Sequence, residues 1–337
     1  LYSPLSYCSQ SFSCGSRPLY RRPGKKQCKT SKKTTSKKSH YAHLCRSEHE
    51  TEPEKAVVVI LSLSMSLILL NSVYTLVTGF RIEQYISRLS ISDFCVTDAT
   101  VDNTSSAVHN TADVPEDFLK DLRLQVNVTE TGNVYFQSLW LTFTEDEYQR
   151  FRERIWSRTE ELFEEWLKSI PEIKDELQRY QDNLSVDGKV YGIEKLIFQN
   201  LELNEGSLDW EKFQSGDYII VNSMQYHDKK ESVNFYDVGE TVTLTDRNGE
   251  SKTYQVLAVA SMPSAAEFQS YGLVDLTYIL PVEEFNWYCG RQQPMRTLFN
   301  VKDGTEKQME EWLSHYCSQT EPNLIYISRE TIMEEFS

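Results

Sequence analysis

Residues 56–80 read AVVVILSLSMSLILLNSVYTLVTGF, and this stretch decides the architecture. It carries no charged side chain, and as a helix it rises about 37 Å, more than the roughly 30 Å of a bilayer's hydrocarbon core. Its polar members are Ser, Thr and one Asn, whose hydroxyl and amide groups can bond within the helix or to a neighbouring one. Ser62, Ser64 and Ser66 alternate with Leu and Met, and small hydroxyl residues suit close helix–helix contact in lipid. A signal peptide is the competing reading, but the apolar run is too long and lies too far from residue 1. The expectation is a transmembrane helix over 56–80.

Outward from this segment the two flanks differ in charge. Residues 1–55 hold about twelve Lys and Arg against about four acids, whereas the remainder carries about twice as many acids as bases. The net charge of -15 excludes a general nucleic-acid binder, which needs a basic footprint to displace counterions. The basic side is expected in the cytoplasm by the positive-inside rule, which leaves residues 81–337 extracellular. RRPGKKQCKTSKKTTSKKSH has no apolar period, so residues 1–55 read as a disordered basic flank. Cys8, Cys14, Cys28 and Cys45 lack the spacing of a zinc knuckle. EHETEPEK (Glu48 to Lys55) is an unusual sequence to abut the inner membrane face. Codons that permit it, read one nucleotide later, can spell the basic NMKRNRKK. The hypothesis that residues 1–55 are translated out of frame follows, and stop codons in the displaced frame would refute it.

Residues 81–337 alternate between the two periodicities. RIEQYISRL continues the span as an amphipathic stalk. ISDFCVTDA places Phe94 and Val96 on one strand face, with Ile91 and Cys95 on the other. PEDFLKDL opens a short helix, and NVYFQSLWLTF (133–143) is a strand. Thr144 with Glu147 three positions later forms a capping box ahead of a helical segment to Asp182, which Pro171 must interrupt. Phe151, Ile155, Leu162 and Trp166 make its apolar stripe. KVYGIEKLIFQNLEL suggests one or two strands; LDWEKFQSGDYIIVN reads helix, turn, strand. A β-hairpin follows, with Val242 and Leu244 facing inward, a turn at Asp246–Gly249 and a return through Tyr254, Val256 and Val259. Two strand–helix pairs and a last strand, NLIYIS, complete the pattern.

This order of parts, with the span and YISRLSISDFCVTDA, then GDYIIVN, VGETVTLTDRNGESKTYQVLAVA, YILPVEEF, PMRTLFNVKDGTEKQMEEWL and YISRETIMEEF, resembles FtsX/MacB-type ABC transporter permeases over residues 56–337. The resemblance implies an α+β protein: a single transmembrane helix, then a mixed α/β extracellular domain of the MacB-like periplasmic core type, with a small β-rich lobe at about 215–262. It also implies a bacterial cell-membrane permease subunit, here a fragment of one, coupling an extracellular substrate- or partner-binding domain to a separate cytoplasmic ABC ATPase subunit. The implied partners are that ATPase, the lipid bilayer, a peptide or protein substrate and a second permease copy. The stalk, Arg81, Tyr85, Ile86 and Leu89, is the expected coupling element. The alternative is a single-span anchored binding module with no transport role.

The chain contains no G-x-x-x-x-G-K-[ST] loop, H-E-x-x-H, G-x-S-x-G or G-x-G-x-x-G. No catalytic, cofactor-binding or metal-ligating residue is assigned, and ATP hydrolysis is expected in the separate subunit. Cys289 and Cys317, on the side expected to be oxidising, could form a disulfide or remain two thiols.

Overall fold

The computed structural model describes residues 53–79, 86, 90–102, 112–169, 172–226, 231–268, 274 and 276–335. Residues 1–52 of the basic flank, and with them most of the out-of-frame hypothesis, lie outside the described residues. The chain divides between Val77 and Thr78 into two compact units.

Helix α1 spans Pro53–Gly79, all but its last two residues in the first unit. Apolar side chains surround it rather than forming one stripe, the pattern of a helix that faces lipid. Val57–Thr75 is long and apolar enough to cross a membrane, and none of that window is buried by protein. Thr75 Oγ1 donates to the Asn71 carbonyl at 2.8 Å, so this hydroxyl is satisfied within the helix. These features fit a membrane-anchored protein.

The second unit is built on a mixed sheet, and its strands were largely legible. They are β1 (Phe94–Asp98), β2 (Val128–Thr142), β3 (Ser185–Ile193), β4 (Glu202–Gly206), β5 (Tyr218–Val221), β8 (Thr241–Thr245), β9 (Ser251–Ser261), β10 (Leu276–Pro281), β11 (Arg296–Val301) and β12 (Leu324–Ser328). Their order is β12-β1-β11-β2-β3-β10-β5-β9-β4, with β8 also on β9. Among the described residues only the β3/β10 and β5/β9 contacts are parallel. Strands β6 (Ser223–Tyr226) and β7 (Glu231–Asn234), absent from the sequence-based reading, form a separate two-stranded ribbon.

Helices complete the layers. They are α2 (Ala99–Asp102), α3 (Glu116–Arg123), α4 (Glu145–Phe151), α5 (Ser157–Ser169), α6 (Glu172–Asn183), α7 (Lys195–Phe198), α8 (Trp210–Gln214), α9 (Val282–Cys289), α10 (Glu306–Gln319) and α11 (Arg329–Glu335). The interruption expected at Pro171 falls between α5 and α6. A π-helical turn at Arg152–Trp156 joins α4 to α5, a feature no local rule in the sequence announces.

Central strands feed two cores because successive side chains point to opposite faces. Tyr135, Val186, Val190, Ile219, Val221, Tyr278 and Leu280 pack on one face, with Phe151, Ile155 and Phe285. Val134, Phe136, Tyr191, Ile193, Ile220 and Ile279 pack on the other, with Phe198, Phe213 and Phe268. A third cluster joins α3 and α10 to Phe94, Val96 and Phe299. Met309, Leu313 and Tyr316 of α10 are buried there, and Trp312 packs against them half-buried.

One glycine in β3 is required for space. A Cβ on Gly188 would lie 2.3 Å from Leu141 Cδ1 and 2.4 Å from its Cγ, so β2 can seat Leu141 only because position 188 has no side chain.

Candidate functional site: an aromatic cleft beside a strand edge

The site begins with a helix start. Thr144 caps α4: its Oγ1 accepts the Glu147 N–H, and the Glu147 carboxylate accepts the Thr144 N–H at 2.9 Å. That reciprocal box fixes Glu147, and the Tyr236 hydroxyl then donates to the other carboxylate oxygen at 3.1 Å. Tyr236 is also hydrogen-bonded to Tyr278, and burial holds both phenols above their ordinary pKa, so both stay protonated at neutral pH.

Two ion pairs clasp this helix to the segment ahead of β8. Arg150 meets Glu240 and Arg154 meets Asp237, both at 3.2 Å. They are partly exposed, so each contributes at most about 1 kcal/mol; their use is positional. Behind the hairpin, the Tyr254 hydroxyl donates to Glu284 at 2.7 Å and Lys252 pairs with the same carboxylate at 2.8 Å.

These contacts frame a cavity of about 670 Å³ whose walls include Trp140 and Thr142 of β2, Tyr236, Tyr278, Tyr288, and Thr243 and Thr245 of β8. Burial pushes the Tyr288 phenol up to about 12. The lining is aromatic and hydroxyl-bearing, and its one carboxylate, Glu147, is already hydrogen-bonded. Trp140 is 42% exposed, yet the Arg179 guanidinium lies 3.8 Å over its ring, and Tyr180 meets it edge-on at 6.0 Å. Such a wall can hold an extended, uncharged or basic ligand by contact and hydrogen bonding. It offers no paired nucleophile and base.

A second cavity of about 650 Å³ lies between α10 and α11, with Glu310, Glu311, Glu330 and Glu334 on its walls beside Lys307 and His315. Among the described residues no cluster of His, Cys, Asp or Glu is arranged to hold a metal ion.

Of the stalk residues, only Ile86 is described. It is buried, and its carbonyl accepts the Ser90 N–H at 2.7 Å. Arg81, Tyr85 and Leu89 lie outside the described residues. The entry is then pinned at Asp93. Its N–H donates to Asn300 Oδ1 at 3.0 Å, its carboxylate accepts the Val301 N–H at 2.9 Å, and its carbonyl accepts the Arg329 N–H at 2.8 Å.

The structure does not bring Cys289 and Cys317 together. Cys289 ends α9 inside the first core, where burial pushes its thiol up to about 12. Cys317 packs against the third cluster, and neither is in a disulfide. The cleft was not foreseen, because its walls come from residues 140–144, 236, 243–245, 278 and 288. The only local signal was the Thr-Val-Thr-Leu-Thr alternation of β8.

No family model and no curated protein matches this chain. Among solved structures it is similar to the periplasmic region of MacB from Actinobacillus actinomycetemcomitans, at 14% identity and a TM-score of 0.43, over 76% of this chain and 97% of that one. It is also similar to the extracellular domain of the noncanonic ABC-type transporter YknZ from Gram-positive bacteria, at 11% identity and a TM-score of 0.37, over 70% of this chain and 99% of that one.

Proposed function

We propose that this chain is a permease subunit of an ABC transporter, in which residues 81–337 face the exterior and bind a substrate or partner protein. Binding there is coupled, through the stalk around Ile86, to a separate cytoplasmic ATPase. The observation that carries this reading is the joining of an uncharged helix, unburied over Val57–Thr75, to a large acidic α/β unit. The basic flank at 1–55 supports its orientation, and the resemblance in segment order over 56–337 supports the transporter class. Coupling requires the outer domain to contact its ligand differently in two states of the membrane helices, since a ligand shifts only an equilibrium between states it binds unequally.

The test has two parts. Crosslinking the full chain in its native membrane and purifying it is expected to recover an ATPase subunit bearing a G-x-x-x-x-G-K-[ST] loop. Protease added to spheroplasts is expected to remove an epitope placed within 81–337. Recovery of the chain with no ATPase favours the anchored binding module, and protection of the epitope refutes the orientation.

A further inference from the structure

Strand β8 presents an unused edge. Its register with β9 pairs Val242 with Tyr254 and Leu244 with Lys252. The flanking bonds, Val256 N–H to Glu240 and Asp246 N–H to Glu250, at 2.8 Å each, show which set pairs inward. In an antiparallel ladder, hydrogen-bonded and non-hydrogen-bonded pairs alternate. Residues 240, 242, 244 and 246 therefore spend their backbone groups on β9, while Thr241, Thr243 and Thr245 direct theirs away from it. Among the described residues β8 pairs with β9 alone. Thr243 and Thr245 open onto the aromatic cleft.

We propose that this edge binds an extended polypeptide segment as an added strand, with alternate side chains of the guest entering the cleft. This rests on the reading of the outer domain as the ligand-binding part. A row of outward N–H and C=O groups is complemented by another backbone in extended form, and pockets beside the edge then select side chains. The strand's two faces specify the guest further. Val242 and Leu244 share the face of Tyr236 and Tyr278 in the first core, whereas Thr241, Thr243 and Thr245 are exposed. Glu145 and Asp146 are exposed in the first turn of α4 directly after the cleft residue Thr144, and the Arg150 guanidinium lies 5.6 Å over the Tyr236 ring, so the adjoining rim carries both signs of charge. The guest is thus a strand with apolar side chains on the face that meets the first core and polar ones on the face that meets solvent. A glycan is disfavoured, because Arg179 already covers a face of Trp140 and Tyr180 meets the ring edge-on.

The experiment uses the full chain in phosphatidylcholine nanodiscs, which carry no net charge to attract the probe, and an octapeptide of alternating Lys and Val, by calorimetry. Two isomers carry backbone N-methyl groups, on all the Lys or on all the Val residues. Successive amides of a strand point to opposite edges, so one isomer should bind at least tenfold more weakly and the other within about twofold of the parent. Thr243→Pro should weaken the parent peptide at least tenfold, since it removes an outward N–H that β9 does not use. The methylated peptides keep the test decisive if the proline variant misfolds. Equal binding by both isomers, no binding of the parent at millimolar concentration, or binding of chitotetraose in place of the peptide would overturn the proposal. Because nothing here measures transport, such a failure leaves the permease reading standing, and loss of the ATPase partner would leave strand addition standing.

Discussion

Gly188→Ala should destabilise the outer domain through a single contact, and the structure says which second mutation abolishes the effect. The added Cβ would sit 2.3 and 2.4 Å from Leu141 Cδ1 and Cγ, more than 1 Å inside the usual carbon–carbon separation of about 3.5–4.0 Å. Leu141 is buried at 2% exposure, and β2 and β3 are held in register from Val134–Ile193 to Thr142–Ser185, so neither the side chain nor the strand can yield freely. Overpacking of this kind costs about 1–3 kcal/mol. Replacing Gly with Ala recovers about 0.4–1 kcal/mol through the unfolded chain, leaving a net loss of roughly 1–2 kcal/mol. For a unit of this size that lowers the melting temperature by about 2–8 °C. Leu141→Ala alone should cost about 2–5 kcal/mol as a cavity, but in its background Gly188→Ala should be neutral or stabilising, because the new methyl enters vacated space. Thermal melts of the four proteins in one detergent give the coupling, expected at about 1–3 kcal/mol. Additivity within about 0.5 kcal/mol would refute the claim that position 188 is glycine to make room for Leu141.

Two further outcomes concern the thiols and alkaline pH. Cys289 should resist iodoacetamide until the domain unfolds, since burial holds its thiol pKa near 12 and only the thiolate reacts. Cys317 should react earlier, and peptide mapping after mild oxidation should show no cross-linked Cys289–Cys317 peptide; such a peptide would contradict their placement in separate clusters. Burial also raises Tyr135 and Tyr288 to about 12 and shifts Tyr236, Tyr254 and Tyr278 upward. The folded state therefore keeps protons that the unfolded chain releases from about pH 10. Stability is intact below that pH and falls as pH rises toward 12, by up to about 1.4 kcal/mol per pH unit for each fully buried phenol. Tyrosinate absorbance should accordingly rise in step with loss of near-ultraviolet circular dichroism, and full titration with the fold intact would refute it.

What was legible in the sequence was local. The Thr144–Glu147 box, the two faces of β1 and the hairpin around Asp246–Gly249 each depend on residues within a few positions of one another, and each stands where its chemistry placed it. The sheet order was not legible. The neighbour relation of β3 and β10 joins residues near 190 to residues near 279, and hydrophobic alternation says that a strand is buried on both faces without naming its neighbour. KVYGIEKLIFQNLEL split into β3, α7 and β4 because LIF turns helical after Glu194 and buries Leu196, Ile197 and Phe198 against the sheet. The cleft was hidden for a related reason: Tyr236, Tyr278 and Tyr288 lie far apart in sequence, and only the fold gathers them beside Glu147.

The position of β8 bears on how ligand binding could reach the membrane helices. From β8 the ladder runs without interruption through β9, β5, β10, β3, β2 and β11 to β1. There Asp93 ties the chain that arrives from Ile86 to Asn300 and Val301 of β11 and to Arg329 at the start of α11. Continuity alone transmits nothing, because a packed sheet with one arrangement cannot report on its ligand. A guest strand acts on this domain only if it binds one arrangement of the edge more tightly than another. The partly exposed pairs Arg150–Glu240 and Arg154–Asp237 are the contacts best suited to that choice. They join the helical segment to the chain that enters the hairpin, and they are weak enough to be exchanged. A switch that must move a large equilibrium needs several such contacts, since shifting a population from 1:99 to 99:1 takes about 5.5 kcal/mol of differential binding, and two half-exposed pairs supply at most about 2. The remainder has to come from the guest strand itself, which places the energy source of any coupling in the ligand's backbone hydrogen bonds and leaves the clasp to decide only when they can form.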